Sequence, residues 1–502
     1  MTERCGGILL HISALPGKYG IGDLGTSAFR FVDFLAGAGQ KIWQILPLVP
    51  AGFGNSPYQS VSVFAGNPLF IDLEEFLRAG NITAGDLEPL VAQNDDERVR
   101  YEAIAALREE LLRKIYDARF RGGENAEEDE ALRKFCEKSG KWLREYAIFA
   151  TLKENFGGRP WYRWPRKYKF KSKGALKAIL RDHAGAIRYH CWVQFTFYRQ
   201  WAALKAHAAR KGVRILGDLP IYVSTDSADA WGNRELFQFT RYGKAKRVAG
   251  CPPDYFSKTG QLWGNILYDW EAIRERRYRW WIERLRHSFG IYDIARLDHF
   301  IGFSSYWSIP AGDATAVNGR WERGPGMRLF GKVRKDLGSV DIVAEDLGAL
   351  SAGVRKLLRD TGFPGMKILQ FAFDSYDSDY LPHKYPEEAF AYTGTHDNNT
   401  LAGWLSGLPD NIADYARSYT DNFLGAEGDG FSATDKMILA VLKSKAGAAV
   451  IPMQDYLGTG ADGRFNTPST VGPGNWSWRV AAASLTEALM THIRRMTEKF
   501  QR

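Results

Sequence analysis

IYDIARLDHF, residues 291–300, lies between a helical-looking segment and a glycine-bearing loop and reads as a short buried strand. Ile291, Ile294, Ala295 and Leu297 are apolar, whereas Arg296, Asp298 and His299 crowd the C-terminal end. Successive side chains of a strand alternate faces, so Arg296 and Asp298 project into the same space. A neighbouring guanidinium favours the ionised form of a carboxyl, and an ionised Asp298 suits an anionic nucleophile. A structural ion pair at the start of a loop explains this stretch equally well, so the decision passes to the rest of the chain.

Working outward, comparable runs occur at 7–12 (GILLHI), 41–48 (KIWQILPL), 213–223 (VRILGDLPIYV), 340–348 (VDIVAEDLG), 366–371 (MKILQF), 390–399 (FAYTGTHDNN) and 448–458 (AAVIPMQDYLG). An amphipathic helix is expected at 27–36, between the first two runs, and strand–helix–strand implies a parallel sheet. Further helices are expected at 192–210 and 274–288. Eight apolar strands separated mostly by helical segments predict an α/β fold of the (β/α)8 TIM-barrel type. The competing open sheet, binding a dinucleotide, draws on Gly20, Gly22 and Gly25, which match the GxGxxG spacing. That fingerprint follows its strand directly and needs an acid after the second strand; here the second run ends ILPLVP, and the barrel is preferred.

Residues 1–70 hold the first two strands and, at 49–68, a long loop rich in Gly and Pro. Loops of this length are usually functional. Residues 71–186 change texture, with Ile104, Leu107, Leu111, Leu112 and Ile115 at helical spacing, and read as a largely helical insertion after the second strand. The acidic run at 124–130 reads as a solvated face or helix start, and the cluster Trp161, Tyr162, Trp164 as packing. Residues 187–502 complete the barrel, with long loops over its C-terminal face.

Composition narrows the function class. Hydrophobic content of 45% and charged content of 25% belong to an ordinary globular protein. Sixty-seven basic against 58 acidic residues, interleaved, give +9, which is no nucleic-acid footprint at 502 residues. Four scattered cysteines (Cys5, Cys136, Cys191, Cys251) show neither zinc spacing nor a disulfide framework. No secretory signal and no apolar run long enough for a membrane span are visible. The expectation is a cytoplasmic protein, monomer or weak homodimer, with no nucleic-acid or membrane partner. Sixteen Trp, 23 Tyr and 29 Phe supply platforms for flat ligand faces beyond what a core needs.

In a barrel, functional groups gather at the C-terminal strand ends. Asp218 marks the third strand, Arg296, Asp298 and His299 the fourth, Glu345 and Asp346 the fifth, His396 and Asp397 the seventh and Asp455 the eighth. Any one acid suits a helix cap, but clustered carboxylates repel and need a purpose. One purpose is retaining glycoside chemistry, in which two carboxyls about 5–5.5 Å apart serve as nucleophile and acid/base. Asp298 fits the nucleophile. Glu345, ending the apolar run IVAE, fits an acid whose pKa is raised by desolvation. The other purpose is a cation cage of Asp218, Asp298 and Glu345 for enolate chemistry, against which Arg296 points into the same cluster.

GDLPIYV, IARLDHF, AEDLG and TGTHDNNT resemble the four signature regions of the α-amylase clan, in the versions typical of 4-α-glucanotransferases (amylomaltase or disproportionating enzyme, glycoside hydrolase family 77). GILLHISALPGKYGIGDLG, WQILPLVPAGFGNSPYQSVS, GQLWGNILYDW and NTPST…NWSWR are similar to that family as well. The resemblance spans nearly the whole chain. It implies Asp298 as nucleophile, Glu345 as general acid/base and Asp397 as transition-state stabiliser. Arg296, His299, His396 and Asp218 would be sugar ligands, Ser56 and Tyr58 would line the substrate side, and Gln261 and Trp263 would lie over the acceptor sites. Asn466 is carried over with them. The substrates implied are malto-oligosaccharides and starch- or glycogen-derived α-1,4-glucans, with no cofactor and no metal. The rivals are an α-glucan hydrolase with the same triad and a non-catalytic glucan binder. One departure stands out: Ser469 occupies the position where NTPGT would place glycine. Lids are expected at 250–264 and 456–474.

Overall fold

The computed structural model describes residues 4–120, 126–253, 257–348 and 350–502. Its centre is an eight-stranded, all-parallel sheet: β1 (Cys5–Leu9), β2 (Ile42–Gln44), β3 (Arg214–Pro220), β4 (Ile294–Asp298), β5 (Ile342–Ala344), β6 (Gly365–Ile368), β7 (Ala389–Tyr392) and β8 (Ala448–Pro452). Except at β5 and β6, consecutive strands pair, and β8 returns to pair with β1, Gly6 lying opposite Ala449. Among the described residues no ladder joins β5 to β6. The ring closes there through one backbone bond, Ala344 N–H to Pro364 O at 2.8 Å, and through Asp346, whose Oδ1 accepts the Met366 amide at 2.7 Å. The structure is the TIM barrel expected from the sequence.

The strands are buried on both faces, as parallel strands under helices must be; β2, β5, β7 and β8 are buried throughout. Helix Thr26–Gly37, between β1 and β2, turns Phe31, Val32 and Leu35 inward. Gly217 in β3 has a steric reason: a Cβ there would lie 2.3 Å from the Tyr292 ring, which packs flat against the strand just before Asp218.

Between β2 and β3 the chain runs through helices that include Tyr101–Phe120, Ala126–Ser139 and Lys141–Asn155, ending in the long helix Ala184–Arg210. Ile104, Leu111, Leu112 and Ile115 are buried at their helical spacing. Of the acidic run, residues 124 and 125 lie outside the described residues. Glu127, Glu128 and Asp129 occupy the first turn of a helix, where negative charge complements the helix dipole. Trp161 and Trp164 are buried with Phe149 and Trp231 in a second apolar cluster, which is packing.

Two boundaries and one sheet differ from the sequence reading. Ile291 closes the preceding helix, and β4 begins at Ile294. The helix expected at 274–288 is two, Trp270–Glu275 and Arg279–Ile291, broken where Arg277 and Tyr278 adopt left-handed backbone. A four-stranded antiparallel sheet over the barrel was not foreseen. It is ordered Gln261–Ile266, Arg247–Cys251, Ser305–Pro310, Arg320–Arg323. Its strands come from the loops after β3 and β4, so no local hairpin signal announces their central pairing.

Candidate active site

The C-terminal ends of β3, β4 and β5 bring four of the expected groups together by register alone. Asp218 in β3 lies opposite Arg296 in β4, and Leu297 lies opposite Ala344, so Glu345 follows directly beside Asp298. Period-two alternation aims Arg296 and Asp298 the same way, as the sequence requires. Arg296 Nη1 reaches Asp218 Oδ1 at 2.9 Å and Oδ2 at 2.8 Å, and Asp298 Oδ1 at 2.9 Å. Its side chain is only 5% exposed and that of Asp218 fully buried, whereas Asp298 keeps 26% of its side chain open to the cleft.

Glu345 is held by backbone. The amides of His299 and Leu347 donate to Oε2 at 2.7 Å and Oε1 at 2.9 Å. His299 reaches this position because its backbone is left-handed, with φ of 51°. That conformation is uncommon outside glycine but more accessible to His than to branched residues, and here it turns the amide onto the carboxylate. Burial pushes the His299 imidazole down to about 4, leaving a neutral ring that can exchange hydrogen bonds with hydroxyl groups.

From β7 come His396 and Asp397. Asn466 Nδ2 donates to Asp397 Oδ1 at 2.6 Å, and Arg464 Nη2 donates to the Asp397 carbonyl at 2.6 Å. Tyr58, from the loop after β2, spans the barrel mouth: its hydroxyl donates to Asp218 Oδ2 at 2.7 Å and lies 2.9 Å from His396 Nε2. One phenolic proton cannot serve both, so His396 donates from Nε2 to Tyr58. Burial lowers the pKa of His396, consistent with a neutral ring. The Tyr58 and His396 rings stack at 5.3 Å, with Trp476 tilted against both.

Burial raises the Asp298 carboxyl to about 8, against the pull of Arg296 and with the push of Asp218, Glu345 and Asp397. Glu345 is also raised, mainly by burial, against Arg296 and its two amides. Arg296 pulls the Asp298 carboxyl towards its ionised form, but the guanidinium is shared with Asp218 and burial opposes it. Asp298 and Glu345 take up protons as a coupled pair whose titration reaches into the neutral range.

Several other placements follow. Trp263 lies edge-on to His299 at 4.8 Å, and Gln261 accepts from the Trp263 indole at 3.1 Å. Ser56 caps the turn Pro57–Gln59, accepting from the Tyr58 amide at 3.2 Å, so it positions Tyr58. Asp455 is not a rim acid. It sits on the short helix Met453–Tyr456 and accepts from Thr393 Oγ1 at 2.5 Å and the Leu401 amide at 2.7 Å. Asp346 serves the barrel seam. Of the 250–264 lid, residues 254–256 lie outside the described residues.

The loop after β8 answers the departure noted in the sequence. Ser469 has φ of 63°, in the region that favours glycine, so the serine keeps the backbone shape that a glycine would give. Trp476 also has φ of 63°. Sequence reasoning missed the roles of Trp476, Arg464 and Gln59, which donates to Trp263 O and Asn265 Oδ1. The quoted NWSWR and SPYQ blocks contain two of them, but only tertiary contacts say what they hold. Among the described residues no group of three His, Cys, Asp or Glu is arranged to hold a metal, and no helix is long and apolar enough to cross a membrane.

Comparison with known proteins gives one consistent picture. A family model described as 4-α-glucanotransferase matches residues 10–486. The chain is 44% identical to the 4-α-glucanotransferase of Streptococcus pneumoniae, covering 100% of this chain and 98% of that one. It is 41% identical to that of Clostridium butyricum, covering 98% and 100% respectively. Among solved structures, amylomaltase from Streptococcus agalactiae in complex with acarbose matches with a TM-score of 0.95 at 38% identity over 100% of both chains.

Proposed function

This chain belongs to the 4-α-glucanotransferase family, and from that premise we propose that it moves α-1,4-glucan segments between malto-oligosaccharides at the cleft around Asp298. The observation that carries the reading is the pairing of Asp298, bound to Arg296, with Glu345 on the adjoining strand. Asp298 attacks the anomeric carbon while Glu345 gives its proton to the glycosidic oxygen of the leaving chain, and a glycosyl ester forms on Asp298. The 4-hydroxyl of an acceptor glucan then loses its proton to Glu345 and attacks the same carbon. Asp298 is released and the α configuration is retained.

The pair begins this cycle with one proton. The proton is shared within the pair, and the arrangement that reacts is the one in which Arg296, at 2.9 Å, holds the negative charge on Asp298 and Glu345 carries the proton. Asp397, fixed by Asn466, accepts from sugar hydroxyls and strengthens those bonds as the oxocarbenium-like state develops. The neutral His299 and His396 and the carboxylate of Asp218 complete the ring of sugar ligands. Trp263, Gln261, Tyr58 and Ser56 shape the walls. Water competes with the acceptor, and transfer prevails where these walls favour a sugar over solvent. Residues 71–186 we take as an insertion that supports this cleft without supplying its reacting groups.

Incubation with maltotriose tests the reading. Transfer produces a ladder of longer maltodextrins, whereas accumulation of maltose and glucose alone would replace it with hydrolysis. Asp298→Asn should abolish turnover of either kind.

A further inference from the structure

The sequence scatters its cysteines, and the fold brings two of them together. Cys136 lies on helix Ala126–Ser139 and Cys191 on helix Ala184–Arg210, more than fifty residues apart in the chain. The two helices pack against each other at several points. Arg188 pairs with Asp129, and the Trp192 indole donates to Glu128 Oε1 at 3.1 Å. Further along, the Phe135 ring meets those of Phe195 and Tyr198, each at 5.8 Å. Positions 188, 191, 192 and 195 share one helical face, as do 129, 132 and 136. Cys136 and Cys191 therefore lie on the surfaces that the helices turn to each other.

Both cysteines are half-buried, and both line one shallow cavity of about 380 Å³ with Leu132, Leu180, Ala184 and Ile187. Each thiol is the other's side-chain partner. Cys191 holds its proton towards Cys136, which favours the thiolate on Cys136 against the cost of burial, and the Arg188 guanidinium adds to that pull. The same contact, together with burial, raises Cys191. Packed cysteines sealed in a core are inert, whereas a favoured thiolate at a surface cavity is open to attack on a small disulfide. A second thiol beside it can then complete the exchange.

We propose that Cys136 and Cys191 form a reversible dithiol–disulfide site, oxidised by a small disulfide such as oxidised glutathione, that clamps the helical insertion. The Cys136 thiolate attacks one sulfur of the small disulfide. That S–S bond breaks, one small thiolate leaves and takes a proton from water, and Cys136 is held as a mixed disulfide. Cys191 gives its proton to solvent and attacks the Cys136 sulfur, expelling the second small thiolate. Two protein thiols are oxidised and the small disulfide is reduced to two thiols; excess small thiol drives the exchange backwards. None of these steps uses the cleft. The clamp nevertheless bears on it, because helix Ala184–Arg210 holds the loop that carries Tyr58. Gln194 accepts from the Gly66 amide at 2.7 Å and donates to its carbonyl at 3.0 Å, and the Tyr198 hydroxyl donates to Phe64 O.

The whole protein, purified under reducing conditions and then equilibrated with oxidised glutathione, tests the proposal. After denaturation, a maleimide count of remaining thiols should fall by two, and dithiothreitol should restore it. A non-reduced tryptic digest should join peptides 135–138 and 189–199. Cys191→Ser should stop at a glutathione adduct on Cys136, and Cys136→Ser should leave Cys191 unmodified. Closing so long a segment of chain should raise the melting temperature of the oxidised wild type by about 4 °C, a shift that Cys191→Ser does not show. An unchanged thiol count, a wild type arrested as the glutathione adduct, a cross-link through Cys5 or Cys251, or an oxidised protein that melts no higher than the reduced one would overturn the proposal.

Discussion

Replacing Asp298 by Asn should make the folded protein more tolerant of alkaline pH while removing its activity. The Asp298 carboxyl has an ordinary value of 3.8 and is raised to about 8 in the fold, chiefly by burial. Between those values the folded chain holds a proton that the unfolded chain has released. The associated stabilisation is complete below pH 3.8 and is lost as pH rises towards 8. Each pH unit in this window is worth about 1.36 kcal/mol for one proton. From pH 6 to pH 7.5 the wild type should therefore lose about 2 kcal/mol through this group, and an asparagine, which does not titrate, loses none of it. Urea unfolding of both proteins at the two pH values measures the difference, provided the m-values agree. The absolute stabilities are immaterial, because the substitution also changes the contact with Arg296. The gap between the curves must shift by about 2 kcal/mol in favour of Asn. Parallel pH dependences would show that Asp298 carries no raised pKa in the fold, and the account of a coupled proton with Glu345 would fail with it.

Tyr58→Phe removes the hydroxyl that joins Asp218 to His396; Asp218 keeps Arg296, but buried His396 loses its partner. A destabilisation of about 1–3 kcal/mol is expected in thermal unfolding, together with lower turnover on maltotriose. Ser469→Gly relieves a left-handed backbone and should stabilise by about 1 kcal/mol or less; a lower melting temperature would contradict the strain argument. EDTA should leave the transferase rate unchanged, because the proposed steps use only carboxyl, imidazole and guanidinium groups, and inactivation that added divalent cation reverses would revive the cation-cage reading.

The barrel was legible because parallel strands buried on both faces leave unbroken apolar runs, and because each of these runs is its own signal. The charged rim was legible for the opposite reason: Arg296, Asp298, Glu345 and Asp397 interrupt those runs at their C-terminal ends. What was not legible depends on distant approach. Arg296 was expected to serve Asp298, and only the β3–β4 register shows that Asp218 takes part of its charge. Asp455 has the same sequence context as the true rim acids, yet the turn that follows β8 carries it onto Thr393 and Leu401. The left-handed backbone of His299, which presents an amide to Glu345, leaves no trace in residue type. The central pairing of the antiparallel sheet joins segments more than fifty residues apart, beyond any local pattern.

The split in the ring between β5 and β6 has a consequence for how this protein fails. Seven of the eight strand junctions are hydrogen-bonded ladders, whereas the eighth depends on Ala344 to Pro364 and on the Asp346 clasp. Parting at this junction breaks no strand ladder, and local opening favours regions held by few contacts. Ala344 and Asp346 flank Glu345 directly. The hinge of least resistance therefore runs through the residue whose position the proposed chemistry can least spare, and warming should switch the protein off while most of its helices are still intact.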